Sequence, residues 1–120
     1  MTITIYHNPG CSKSRKTLEL IESRGISPRI VEYLQEPPDA ATLLKLADLL
    51  RQPLTAVLRT SEAEFAEAGG ALYLDDDAKL AAWLEEHPRV LQRPIVVNEE
   101  TSCAIIGRPP ENVCDILDDD

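Results

Sequence analysis

Apolar and polar residues alternate over Ile3-Thr4-Ile5-Tyr6, the two-residue period of a half-buried strand. The period breaks at Asn8-Pro9-Gly10, a turn-forming triplet. Beyond it, Ser12 and Ser14 suit a helix start, and an amphipathic run from Lys16 sets Leu18, Leu20 and Ile21 at helical spacing. Gly25 fits the C-cap of that helix. Ile30-Val31 and Tyr33-Leu34 mark a second strand, so the chain opens β-α-β with two parallel strands. Pro37-Pro38 then punctuates the chain, and Asp39 is placed to cap a helix running through Leu50. Pro53 fits the first turn of a short helix ending near Arg59. Ser61-Glu62-Ala63-Glu64 reads as a capping box opening a helix that Gly69-Gly70 ends. Asp75 to Asp77 begin another, which carries Leu80, Trp83 and Leu84 and stops before Pro88; Trp83 and Phe65 are core candidates. Strand patterning returns at Ile95-Val96-Val97 and Ala104-Ile105-Ile106, spaced as a hairpin about a turn at Asn98-Glu99-Glu100. Pro109-Pro110-Glu111 starts a last helix with Val113, Ile116 and Leu117 facing inward.

The order is β-α-β, helices, β-β-α. It predicts an α/β, thioredoxin-like (glutaredoxin-like) fold: a mixed four-stranded sheet with a helical insertion between strands 2 and 3. A single domain over residues 1–120 is expected, with the β-α-β unit at 1–36, the insert at 37–88, the β-β-α unit at 89–117 and an acidic tail at 118–120.

Composition narrows the classes of function. The 120 residues are 43% hydrophobic and 28% charged, enough for a core without disulfide staples, and contain no apolar run long enough to span a membrane. No signal-peptide pattern is visible, which makes the cytoplasm the expected compartment. Three cysteines without a CxxC pair or a Cys/His cluster argue against a disulfide framework and against a metal site. A net charge of −9 argues against nucleic-acid and anionic-membrane partners. Its distribution is uneven. Residues 1–33 hold Lys13, Arg15, Lys16, Arg24 and Arg29 against Glu19, Glu22 and Glu32, a net +2, and the remainder carries −11. A locally basic end on an acidic chain suits a small anion.

Cys11 lies in that basic end, where the turn gives way to the helix. A buried cysteine is the ordinary alternative, but turn-forming and basic neighbours do not describe a core. At a helix N-terminus, unpaired N–H groups and the dipole favour a thiolate, so Cys11 is the candidate nucleophile. Ser14 stands where a CxxC motif would place its second cysteine, so an external thiol must complete any disulfide chemistry. Arg59, Arg93 and Arg108 sit at element ends, and arginine forks match tetrahedral oxyanions. The topology brings Arg93, before the Pro94 expected to be cis, and Arg108 to the same sheet. His7 is placed to hydrogen-bond Cys11 or the turn, and His87 reads as a C-terminal cation on a helix dipole. Cys103 lies near the hairpin turn as an alternative resolving thiol, and Cys114 reads as buried.

Together these residues resemble the glutathione/glutaredoxin-linked arsenate reductase family, which shares its fold with Spx-like regulators. The resemblance rests on Ile3-Thr4-Ile5-Tyr6-His7-Asn8-Pro9-x-Cys11-x-x-Ser14-Arg15-x-Thr17-Leu18-Glu19, Tyr33-Leu34-x-x-Pro37-Pro38, Leu58-Arg59, Arg93-Pro94-Ile95-Val96-Val97 and Arg108-Pro109. It implies that Cys11 attacks arsenate and that Arg59, Arg93 and Arg108 bind the oxyanion, with His7, Ser14 and Arg15 supporting the thiolate and its loop. It also implies glutathione as co-substrate, glutaredoxin as partner, no tightly bound cofactor, and a role in arsenic resistance; a monomer is expected. Cys11-Ser12-Lys13-Ser14 departs from the Cys-Gly-Thr-Ser of proteins encoded with arsenic resistance. Two other readings are a glutathione-dependent thiol oxidoreductase of another substrate, and an Spx-like regulator that binds RNA polymerase. Ser14 counts against the second, since such regulators carry a CxxC switch.

Overall fold

The computed structural model describes residues 2–59, 65, 67, 75–91 and 94–117. The chain divides into two compact units, residues 1–33 with 93–120, and residues 34–92.

The first unit is built on a four-stranded sheet. Strand β1 (Ile3–His7) is followed by α1 (Ser12–Ser23) and β2 (Arg29–Glu32), and the chain returns as β3 (Ile95–Asn98) and β4 (Cys103–Ile106). The strand order is β2-β1-β3-β4. β1 runs parallel to β2 and antiparallel to β3, and β3 is antiparallel to β4. This is the mixed sheet of the thioredoxin-like fold. Because strand side chains alternate between faces, Ile3, Ile5 and His7 share one face of β1. The register carries that face across the sheet, pairing Ile5 with Val96 and Val96 with Ile105. Ile3, Ile5 and Val96 form a core there with Ile21 of α1 and with Val113 and Leu117 of the C-terminal segment. Removing each such side chain from water contributes about 1.5–3 kcal/mol.

Local chemistry sets where each element stops. Gly25 adopts φ 75° and donates its N–H to Glu22 O at 3.0 Å, ending α1 in a left-handed conformation that costs glycine little. The second strand ends at Glu32, so Tyr33 and Leu34 lie beyond it rather than within it. The hairpin turn falls later than its sequence pattern suggests. Asn98 completes β3, and its Oδ1 accepts the N–H groups of Glu100 and Thr101 at 3.1 and 3.3 Å, while Nδ2 donates to Ile116 O at 2.8 Å. One buried amide thus shapes the turn and ties it to the C-terminal segment. That segment opens as a 3₁₀-helix (Pro110–Val113) before an α-helical turn (Cys114–Leu117). Cys114, expected to be buried, is half-buried at the edge of the core.

The second unit contains α2 (Ala40–Leu50), a 3₁₀-helix (Leu54–Val57) and α3 (Asp77–Glu86). Asp39 caps α2 by accepting Thr42 N–H at 2.8 Å, a bond that also holds its carboxyl below the ordinary value. Asp76 caps α3 in the same way. Glu85 of α3 accepts the N–H of Ala40 at 2.8 Å, fixing the start of α2. Pro53 precedes the 3₁₀-helix instead of lying within its first turn. Trp83 and Phe65 are buried and meet edge to face at 6.0 Å. His87 caps α3, with Nδ1 at 2.8 Å from Trp83 O and its ring stacked on the indole. The capping box at Ser61–Glu64 and the Gly69-Gly70 stop lie outside the described residues. Among the described residues, no helix is long and apolar enough to cross a membrane.

Candidate active site

The chain from Asn8 to Cys11 is a tight loop between β1 and α1. Cys11 N–H donates to Asn8 O at 3.0 Å, closing a four-residue turn with Pro9 and Gly10 at its centre. Asn8 Oδ1 accepts Gly10 N–H at 2.9 Å, a second bond within the same turn. Arg15 Nη1 donates to Pro9 O at 2.8 Å, so Arg15 braces the loop from the helix side. Cys11 is the N-cap of α1, extended at φ −102° and ψ 122°, and its carbonyl accepts the first helical bond, from Arg15 N–H at 3.0 Å. Its side chain makes no cap hydrogen bond. A serine or aspartate here would fold back onto the first-turn N–H groups. A cysteine leaves those donors, and the positive end of the dipole, to a negative group.

Strand and helix periodicity meet just below the thiol. The buried stripe of α1 is Ser14, Thr17 and Ile21, and its first member reaches the end of β1 where His7 points to the same face. Ser14 Oγ lies 2.6 Å from His7 Nδ1 and accepts the N–H of Asn8 at 3.0 Å. His7 is 6% exposed and Ser14 0%, so this pair ties strand, loop and helix together out of water. The His7 bond goes to neither Cys11 nor the turn itself but to Ser14 of α1, which in turn accepts the N–H of Asn8.

Burial lowers the His7 pKa below its ordinary 6.5; Glu32 opposes that shift and Arg15 assists it. The imidazole is therefore neutral near pH 7. In the unfolded chain His7 takes up a proton as the pH falls through about 6.5, whereas in the fold it does so only at lower pH. Over that window the unfolded state binds more protons, so stability present above pH 6.5 is lost on acidification. Urea midpoints measured between about pH 7.5 and 5.5 should fall with pH, and less steeply in His7→Asn. An equal slope in the variant would refute this assignment.

Arg108 is 97 residues from Cys11 in sequence, yet its Nη2 lies 3.7 Å from Cys11 Sγ. β4 delivers it through Gly107, which sits where a side chain has no room. A Cβ there would stand 2.8 Å from both Pro94 Cγ and Thr17 Oγ1. Thr17 is itself fully buried, with Oγ1 donating to Lys13 O at 2.8 Å. The hydrophobic pattern singles out neither Thr17 nor Gly107 as a site-building residue; Thr17 stands in the stretch that carries the resemblance, and a small residue directly before a candidate arginine is the signal at Gly107.

The other candidates stand as follows. Arg59 belongs to the second unit, where its N–H donates to Val90 O at 2.6 Å. Its Nη1 is buried and has no hydrogen-bond partner among the described residues. Arg93 lies outside the described residues, and with it the Arg93–Pro94 bond expected to be cis; a cis bond is found at Arg108–Pro109. Cys11, Cys103 and Cys114 are not in disulfides, so Cys103 is not joined to Cys11.

A cysteine at a helix N-terminus, after the first strand of this sheet and faced by a guanidinium from beyond the last strand, defines a thioredoxin-like protein with a single thiol in the loop between β1 and α1. The chain belongs to the ArsC family, whose profile matches residues 6–116. An arsenate reductase of Haemophilus influenzae is 41% identical, over 98% of this chain and 100% of that relative. The Escherichia coli protein YfgD, described as uncharacterized, is also 41% identical, over 96% of each chain. Among solved structures, the arsenate reductase from Vibrio cholerae is 42% identical and superimposes with a TM-score of 0.85, covering 97% of this chain and 98% of that one.

Proposed function

We propose that this protein is an arsenate reductase in which Cys11 is the nucleophile and glutathione and glutaredoxin supply the two electrons. The observation that carries the reading is the contact of Arg108 with the Cys11 sulfur at the start of α1. A cation and a helix dipole at one sulfur favour the thiolate, and the same guanidinium can grip a tetrahedral oxyanion brought to it. In this reading Arg93 and Arg59 also bind the oxyanion, a role that the resemblance to arsenate reductases supports. His7, Ser14 and Arg15 hold the loop.

In the proposed sequence, the Cys11 thiolate attacks As(V), a Cys11–arsenic bond forms, and one arsenate oxygen leaves as water. Glutathione then displaces a second oxygen as water and forms a second As–S bond. The glutaredoxin thiolate attacks the glutathione sulfur. The As–S electron pair passes to arsenic, which becomes As(III), and a glutaredoxin–glutathione disulfide departs. Water then hydrolyses the remaining Cys11–As(III) bond, releasing arsenite and the thiol. No second cysteine of this chain enters, in keeping with Ser14 in place of a local resolving thiol.

The test is arsenite formation from arsenate by purified protein with glutathione and glutaredoxin. Turnover is expected only with both reductants present. Turnover with a dithiol reductant such as thioredoxin but none with glutathione would overturn the reductant assignment. Turnover of glutathione mixed disulfides without arsenite formation would favour a thiol oxidoreductase of another substrate.

A further inference from the structure

The reach of Arg108 to Cys11 depends on a backbone that no regular element holds. Arg108 lies past the end of β4 and before the C-terminal 3₁₀-helix, and a long side chain hung from a loose loop would spread its guanidinium over several rotamers. The loop is not loose. Gly107 N–H donates to Pro94 O at 2.9 Å, and Arg108 N–H turns back to Ile106 O at 2.9 Å. A third element closes the turn from the other side. Asn112 Nδ2 donates to Arg108 O at 3.2 Å and to Ile106 O at 3.4 Å. Both partners are carbonyls, so only the NH₂ orientation of the amide satisfies the pair, and each of its hydrogens has an acceptor.

Asn112 is well placed for this. Its own N–H donates to Pro109 O at 3.0 Å, and the next residue, Val113, is fully buried in the core between sheet and α1. The amide therefore refers the Arg108 backbone to the rigid centre of the unit. We propose that Asn112 is a positioning residue for the oxyanion site, holding the Ile106–Arg108 turn so that the Arg108 fork stays over Cys11. This rests on the reading that Arg108 binds the oxyanion. Asn112 itself touches neither the sulfur nor the ligand in this assignment; it acts through Arg108 alone.

The experiment is a double-mutant cycle read by ligand protection, which needs no reductant. Cys11 is alkylated with iodoacetamide at increasing arsenate, and the concentration giving half protection is measured for the parent, Asn112→Ala, Arg108→Ala and the double variant. Asn112→Leu, close to asparagine in shape but without a donor, serves as the second probe should the alanine variant fold poorly. Thermal melting accompanies each. Loss of the amide should raise the half-protecting arsenate concentration about fivefold to tenfold in the parent background. It should add less than about twofold once Arg108 is alanine, because the residue it positions is gone. Any melting-temperature cost should be the same in both backgrounds. A rise of equal size with and without Arg108, or no rise in either Asn112 variant, overturns the inference and leaves the Arg108 reading standing. Protection unchanged by Arg108→Ala overturns both.

Discussion

Replacing Cys11 with serine should lower arsenite formation by on the order of 10³-fold or more, the scale of losing a covalent nucleophile. The substitution keeps shape and the capacity to cap a helix, so the fold has no reason to fail. Serine is in fact a better N-cap than cysteine, and its hydroxyl would turn onto the first-turn N–H groups that the sulfur leaves open. The variant should melt no lower than the parent while losing turnover, which separates a chemical role from a structural one. Cys103→Ser and Cys114→Ser provide the contrast. Cys103 Sγ is engaged with Thr101 O at 3.6 Å near the hairpin turn, and Cys114 packs at the edge of the core. Neither belongs to the Cys11 loop, and both variants should retain turnover within about threefold, as substitutions away from the site do. A Cys11→Ser enzyme with parent-like activity, or an inactive Cys103→Ser enzyme, would require another nucleophile or a resolving pair within the chain.

What could be read from the sequence, and what could not, follows from the range of the interactions involved. β1, α1 and the hairpin declare themselves because a period of two or of 3.6 needs only neighbouring residues. The capping roles of Asp39 and Gly25 are equally local, and the structure shows both. The Cys11 loop was legible for the same reason: proline, glycine and asparagine mark a turn wherever they cluster. Boundaries shifted where a single side chain overrode the pattern. Asn98 extends β3 and moves the turn because its amide finds three backbone partners, one of them in the C-terminal segment. Nothing in an eight-residue window encodes that partner. Thr17 and Gly107 were invisible as site-building residues because their importance lies in a close approach between α1 and the exit of β4. The β-β-α ending set Arg108 on the sheet and the resemblance to arsenate reductases set it at the thiol, whereas the exit of β4 is brought to Cys11 by the strand order β2-β1-β3-β4. Once that order is right, the long-range contact follows from topology.

The second large effect belongs to Arg108. A charge-assisted hydrogen bond is worth about 1.5–3 kcal/mol, so Arg108→Ala should lower kcat/KM for arsenate by about 10- to 100-fold. Two independent consequences are expected, because the guanidinium lies 3.7 Å from the sulfur and, in the proposed function, also grips the oxyanion. Removing a cation beside a thiol disfavours the thiolate, which raises the thiol pKa; the pH profile of Cys11 alkylation should therefore move to higher pH. Weaker oxyanion binding should at the same time raise the arsenate concentration needed for protection. Arg108→Lys separates the two. Lysine returns a positive charge, so the alkylation profile should shift back towards that of the parent. It lacks the planar fork, so arsenate affinity should stay closer to that of alanine. If lysine restored both properties equally, charge alone would account for the site, and the geometric demands placed on the Ile106–Arg108 turn would have no purpose. If neither variant changed either property, the 3.7 Å approach would be a packing contact and the oxyanion would have to be held by other cations.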